Sequence, residues 1–176
     1  RFISLATLVL LYFGAGKLGL SLAFLHANVS PVWPPTGIAI AAVLLFGYRI
    51  TPAIFIAALV TTIATGGTPA TALGIAIGNT LEAVTARALI HRFVGLHSPF
   101  YRTLDVLKFI LYAVLVSPTV SATIGNATLC LTGAAVWSNF ESLWLTWWVG
   151  DGVGALVVAP LVLTWVEKRK DSWSAR

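Results

Sequence analysis

Apolar residues fall along this chain in long runs, broken by short clusters of proline, glycine, asparagine and charge. Several runs approach ~20 residues, the length that carries an α-helix across the hydrocarbon core of a bilayer. The period-two alternation of a membrane β-barrel is absent. The pattern predicts an all-α, polytopic transmembrane helical bundle of about six spans. The segments are about Phe2–Leu25, Pro35–Phe46, Pro52–Thr65, Ala70–Phe93, Leu104–Thr132 and Phe140–Val166. The second and third are shorter than a bilayer is thick. Either their flanking prolines lie at membrane depth, or the two segments together form a re-entrant hairpin.

A proline-rich break, Ser30–Pro31–Val32–Trp33–Pro34–Pro35–Thr36–Gly37, precedes the second span. Proline fixes φ, lacks a backbone donor and forces the preceding residue to be extended, so this block cannot be mid-helix. It carries no charge and opens into the apolar run to Phe46. Irregular backbone is tolerated at membrane depth only where protein or water covers its free carbonyls. The block therefore reads as the wall of an outward-facing pocket.

Composition removes most other classes. Of 176 residues, 58% are hydrophobic and 10% are charged, far from the soluble mean. One transmembrane domain over 1–176 is expected, with no soluble core; 170–176 would begin a cytoplasmic linker to an output domain. The absence of methionine is what a segment excised from a longer chain would show. The net charge of +5 is no nucleic-acid footprint, because the basic residues lie at helix ends. Arg1 placed in the cytoplasm, with spans alternating, puts Arg49, Arg92, Arg102, Lys108, Lys168, Arg169, Lys170 and Arg176 inside as well. The outer loops then hold no Lys or Arg, as the positive-inside rule requires. Both termini are thus expected to be cytoplasmic, and this pattern argues against the hairpin. Cys130 stands alone, which excludes an intrachain disulfide and a zinc site; no cofactor is expected.

Ionisable residues at membrane depth are functional candidates by default. Lys17, Glu82, Arg87 and Asp151 are the four, each costing roughly 2.5–3.5 kcal/mol at the centre of an isolated helix. A rise of about 1.5 Å per residue places Lys17, Asn79, Glu82, Asn126 and Asp151 in one layer from four helices, beneath Trp33. Arg87, deeper toward the inside, is expected to snorkel. Gly74, Gly78 and Glu82 share a helical face, which points Glu82 at protein. Trp144, Trp147, Trp148 and Asp151 follow i, i+3, i+4, i+7, so three indoles form a stripe ending at a carboxylate. An apolar, aromatic pocket with convergent polar groups is the form of a small-molecule site. The candidate ligand-binding residues are Lys17, Trp33, Asn79, Glu82, Asn126, Trp147 and Asp151. The competing reading has Lys17 pairing with Glu82 or Asp151 as structural glue. Trp144 and Trp148 read as interfacial belt residues, and Trp33 and Trp147 as pocket residues.

Other features carry less. Gly74/Gly78, Ser117/Ser121/Gly125 and Gly150/Gly154 let helices approach closely. Packing within one bundle explains them better than a homodimer face. Pro118 and Pro160 are expected to kink their helices. His97–Ser98–Pro99–Phe100 reads as a capped helix start. His26, His91 and His97 sit at segment ends and form no metal or haem pair. Asn28–Val29–Ser30 and Asn126–Ala127–Thr128 match the glycosylation pattern weakly. Gly37–Ile40 and Gly74–Ile77 echo one another, as chance allows in an Ala/Ile/Gly-rich chain. No nucleophile stands beside a plausible base, so no catalytic residue is assigned.

Three stretches together carry a resemblance. They are Ser30–Pro–Val–Trp–Pro–Pro–Thr–Gly37 with its run to Leu45–Phe–Gly–Tyr–Arg49, then Ile77–Gly–Asn–Thr–Leu–Glu–Ala83, then Trp147–Trp–Val–Gly–Asp–Gly–Val–Gly154 with Ala159–Pro160. In this order they resemble the membrane-associated sensor domain of the first MASE type. The resemblance implies an integral input domain of the bacterial inner membrane, placed at the N-terminus of histidine kinases or cyclic-di-GMP enzymes. It further implies a domain with no enzyme activity of its own. The expected partners are the lipid bilayer, a small-molecule ligand or membrane protein, and a cytoplasmic output domain in cis. The alternative is a small substrate-binding subunit of a transporter, since a charged midplane and broken helices occur there too.

Overall fold

Proline and glycine punctuate the chain where its helices begin and end. In the computed structural model, residues 2–21, 30–95, 100 and 102–174 are described. His26, Asn28 and the cap proposed at Ser98 lie outside them. The helices are α1 (Phe2–Leu20), α2 (Pro34–Phe46), α3 (Thr51–Ala64), α4 (Pro69–Phe93), α5 (Thr103–Phe109), α6 (Pro118–Leu131) and α7 (Phe140–Ser174). No strand occurs among the described residues.

The starts and stops have local causes. Pro34 and Pro35 occupy the first turn of α2, where the missing N–H costs nothing. Gly47, at φ 77°, closes α2 by donating its N–H to the Val43 carbonyl at 3.0 Å. Thr68 caps α4 through its hydroxyl, which accepts from the Thr71 N–H at 3.2 Å, and Pro69 follows.

Ile110–Val116, between α5 and α6, winds as a π-helix and stops just before Pro118. The Ser117 N–H donates to the Tyr112 carbonyl, five residues back. Here the expected proline kink takes the form of a widened turn, one of the ways a helix absorbs a missing N–H. α7 runs on through Pro160.

Pro69–Phe93, Thr103–Leu131 and Trp137–Val166 are long and apolar enough to cross a membrane. Leu5–Leu20, Pro34–Phe46 and Tyr48–Ala64 are apolar but shorter. The helices pack as a ring in the order α1, α3, α4, α6, α7, α2, with α2 also touching α4 across it. α2 is the innermost helix, and eight of its thirteen residues are buried. Its surface is apolar on all sides, as a helix enclosed by others requires. α2 packs most extensively against α7, and that seam holds the polar residues described next.

Candidate functional site

Small residues on α7 bring the proline block within backbone contact. A Cβ on Gly150 would strike the Ser30 carbonyl, and one on Gly154 would strike the Trp33 carbonyl. A Cβ on Gly37 would meet the Gly154 carbonyl and the Val158 side chain. The close approach lets the Trp33 N–H donate to the Gly150 carbonyl at 3.0 Å. α1 supports the block from the other side. Gly16 and Gly19 leave room for the Trp33 indole, and the Ser30 hydroxyl donates to the Gly19 carbonyl at 2.7 Å.

Asp151 lies fully buried in this seam. Its Oδ1 accepts from the Thr36 hydroxyl at 2.6 Å, and its Oδ2 accepts from the Ser121 hydroxyl at 2.5 Å. One carboxylate thereby ties the first turn of α2, the first turn of α6 and α7 into a single node. Charge-assisted bonds of this kind are about twice as strong as neutral ones. Ser121, which the sequence presents only as a packing residue, is one of its two hydroxyl donors.

Glu82 of α4, also buried, lies against Ser121 and Asp151. Its Oε1 has no hydrogen-bond partner among the described residues. One turn away, Asn79 Nδ2 donates to the Tyr12 hydroxyl at 3.1 Å, and Asn79 Oδ1 is left without a donor. Tyr12 is the residue that sequence reasoning missed. It is buried, and it lies against Trp33 as well as Asn79. Its signal was present: Tyr12, Gly16 and Gly19 stand at i, i+4, i+7, so they share the face of α1 that meets the block.

A narrow cleft of about 360 Å³ opens above this layer, with Trp33, Trp147, Asn79, Thr61 and Thr62 among its lining residues. It has room for about one water. A second, narrower gap, too tight for a water, is bordered by Tyr12, Thr36, Asn79 and Glu82. Asn79 borders both spaces. The Trp147 indole is seated on Gly125 of α6, one turn of α7 before Asp151.

The MASE1 family model matches residues 4–176, essentially the whole chain. The chain belongs to the MASE1 family. MASE1 domains are membrane sensory input domains and are not themselves catalytic. No curated protein and no solved structure matches the chain.

In this MASE1 domain the cations stay away from Glu82 and Asp151, and Lys108 pairs instead with the buried Asp105 at 3.7 Å. Lys17, expected in the polar layer or paired with Glu82 or Asp151, is exposed and donates to the Ala64 carbonyl at 3.2 Å. Arg87 reaches the C-terminal end of α2. Its Nη1 donates to the Val43 and Leu44 carbonyls at 2.7 and 3.1 Å, and its guanidinium sits 5.1 Å from the Tyr48 ring centroid. Lys108 donates to the Phe93 carbonyl at 2.8 Å. Each cation caps the C-terminus of a different helix, α3, α2 and α4 in turn, where orphan carbonyls and the negative end of the dipole favour it.

The remaining candidates divide. Trp33, Asn79 and Trp147 meet at the cleft, and Glu82 and Asp151 lie beneath it. Asn126 is buried on α6, where its Nδ2 donates to the Ala122 carbonyl at 2.8 Å and its Oδ1 has no partner. The three-indole stripe comes apart. Trp144 and Trp148 stack with centroids 6.2 Å apart, and their N–H groups donate to Thr123 Oγ1 and the Leu115 carbonyl. They clamp α7 to α6 and the π-helical turn, while Trp147 turns inward.

Proposed function

We propose that this MASE1 domain receives a small molecule or a membrane partner at the cleft beneath Trp33. It would pass the event to a cytoplasmic output domain, a histidine kinase or a cyclic-di-GMP enzyme, attached beyond α7. One observation carries this reading: the cleft residue Trp147 and the node residue Asp151 lie on the helix that leaves the bundle. α7 is 35 residues long, or about 50 Å at 1.5 Å per residue. That exceeds the ~30 Å hydrocarbon core, so the end beyond Val166 would emerge into water.

The three shorter helices complete a six-span arrangement in the bacterial inner membrane, with both ends in the cytoplasm. α2 and α3 reach only part-way, and Arg87 and Lys17 supply the caps that short helices need at depth. A ligand shifts such a domain only by binding two arrangements unequally. Here the two arrangements differ in how the proline block seats on Gly150 and Gly154.

The test is signalling output from the intact protein at matched membrane abundance. Asp151→Asn and Glu82→Gln are expected to change output or its response to stimulus. Unchanged stability and unchanged output in both variants would refute the reading.

A further inference from the structure

Glu82 of α4 and Asp151 of α7 are buried side by side, within hydrogen-bonding reach of one another. An ionised carboxylate has only acceptors, so two carboxyl groups bond to each other only through a proton on one of them. Asp151 is the better placed anion, because its two oxygens accept from the Thr36 and Ser121 hydroxyls. Glu82 Oε1 has no donor among the described residues, on a side chain only 1% exposed. The one proton that the pair needs therefore belongs on Glu82.

Nothing else around the pair offsets a second negative charge. Among the described residues neither acid has an ion pair. Lys17 is exposed at the Ala64 carbonyl, Arg87 is held at the Val43 and Leu44 carbonyls, and Lys108 of α5 pairs with Asp105. α2 and α3 contain no ionisable side chain, and α6 contains only Cys130, at its far end. Tyr112, between α5 and α6, stacks on Phe93, and Glu141 is exposed in the first turn of α7. From α1, Tyr12 lies beside the two acids with its hydroxyl proton uncommitted, but a phenol offers a hydrogen bond and no positive charge. The gap that Glu82 borders is too tight for a water, so hydration is shut out as well. Nor do the described residues give the two acids a third His, Cys, Asp or Glu with which to hold a metal ion. Carboxyl groups in contact without such compensation share one proton instead of both ionising.

We propose that Glu82 is a proton-binding site: its carboxyl holds one proton, donates it to Asp151 and so fastens α4 to the exit helix α7. Loss of that proton leaves two anions in a seam that can neither hydrate nor neutralise them, which pushes α4 and α7 apart. Proton release is then a signal in its own right, whatever occupies the cleft. The test is the infrared spectrum of the intact protein in lipid nanodiscs, taken as wild type minus Glu82→Gln. At neutral pH the difference should contain the carbonyl stretch of a neutral carboxylic acid, shifted in heavy water and fading reversibly as the pH is raised. Asp151→Asn should keep this band at a displaced position, because only the acceptor has changed. If Glu82→Gln fails to fold, isotopic labelling of carboxyls in the wild type takes its place, and the band must move with labelled glutamate and not with labelled aspartate. Three results overturn the proposal: no neutral-acid band from Glu82, a band that moves with aspartate, or a band unchanged by pH while the protein stays folded. A missing band alongside altered output in Asp151→Asn would sink the proton site and leave the sensory reading intact.

Discussion

Thr36 Oγ1 lies 2.6 Å from Asp151 Oδ1, although 115 residues separate them in the chain. The contact joins the two most distinctive stretches of the sequence, Trp33–Pro34–Pro35–Thr36–Gly37 and Trp147–Trp148–Val149–Gly150–Asp151. The prolines place Thr36 in the first turn of α2, and the glycines around Asp151 let that turn come close enough to donate. Each block supplies what the other lacks. The stiff block has a hydroxyl to give, and α7 has a carboxylate in need of donors.

Replacing Thr36 by Val keeps the shape and removes the donor. Asp151 would keep Ser121 but lose half of its hydroxyl partners. Interhelical hydrogen bonds in membranes are worth roughly 0.6–2 kcal/mol, so Thr36→Val should lower stability by about that amount. Thr36→Ser should stay near wild type. Thermal unfolding in a mild detergent, followed by circular dichroism, compares the two.

The glycine seam gives a steric prediction with its own control. Gly154→Ala pushes a methyl into the Trp33 carbonyl, which is backbone and cannot swing aside. Over-packing typically costs 1–3 kcal/mol, so a loss of about that size is expected. Gly14→Ala, where a Cβ meets nothing within 4 Å, should be neutral or mildly stabilising. Equal melting temperatures for the two variants would contradict the seam.

Arg87 holds the end of α2 through two carbonyls and the Tyr48 ring. Arg87→Leu strips these contacts and should destabilise by roughly 1.5–3 kcal/mol, the range for hydrogen bonds to charged groups. Arg87→Lys should recover only part of the loss, since an ammonium lacks the planar fork. Denaturation of the purified variants in parallel ranks the three proteins.

Topology can be read with reporters. Gly66 and Gly133 both have positive φ and open space around them, so insertions there should be tolerated. With both ends in the cytoplasm, alkaline phosphatase fused after Gly66 or Gly133 should be active and one fused after Val94 should be inactive. The reverse pattern would invert the proposed orientation.

Much of this fold is written in local punctuation. Prolines at 34, 35, 69 and 118 and glycines at 47, 66 and 133 mark helix ends, because few other residues suit those backbone states. The inward turn of Glu82 was legible too. Gly74 and Gly78 on its face lie against Thr128 and Ile124 of α6.

Lys17 shows where the reading stops. Depth along a helix follows from counting residues, but direction around it does not. Gly16 faces Trp33 and Thr61, and one residue on, about 100° around the axis, Lys17 is exposed. The π-helical turn is a second blind spot. It shifts the phase of the helix between α5 and α6, which a fixed period of 3.6 cannot register. Cation placement was hidden as well. A Lys or Arg in an apolar run suggests a buried ion pair, whereas here the helix carbonyls are the partners.

The most direct test of the join between the proline block and α7 is a double-mutant cycle on Thr36→Val and Asp151→Ala, read as unfolding free energy in lipid. A direct bond should make the double variant less damaging than the two single losses added, with a coupling of about 0.6–1.7 kcal/mol. Strictly additive losses would mean that Thr36 and Asp151 act independently, and that the proline block is not tied to the exit helix.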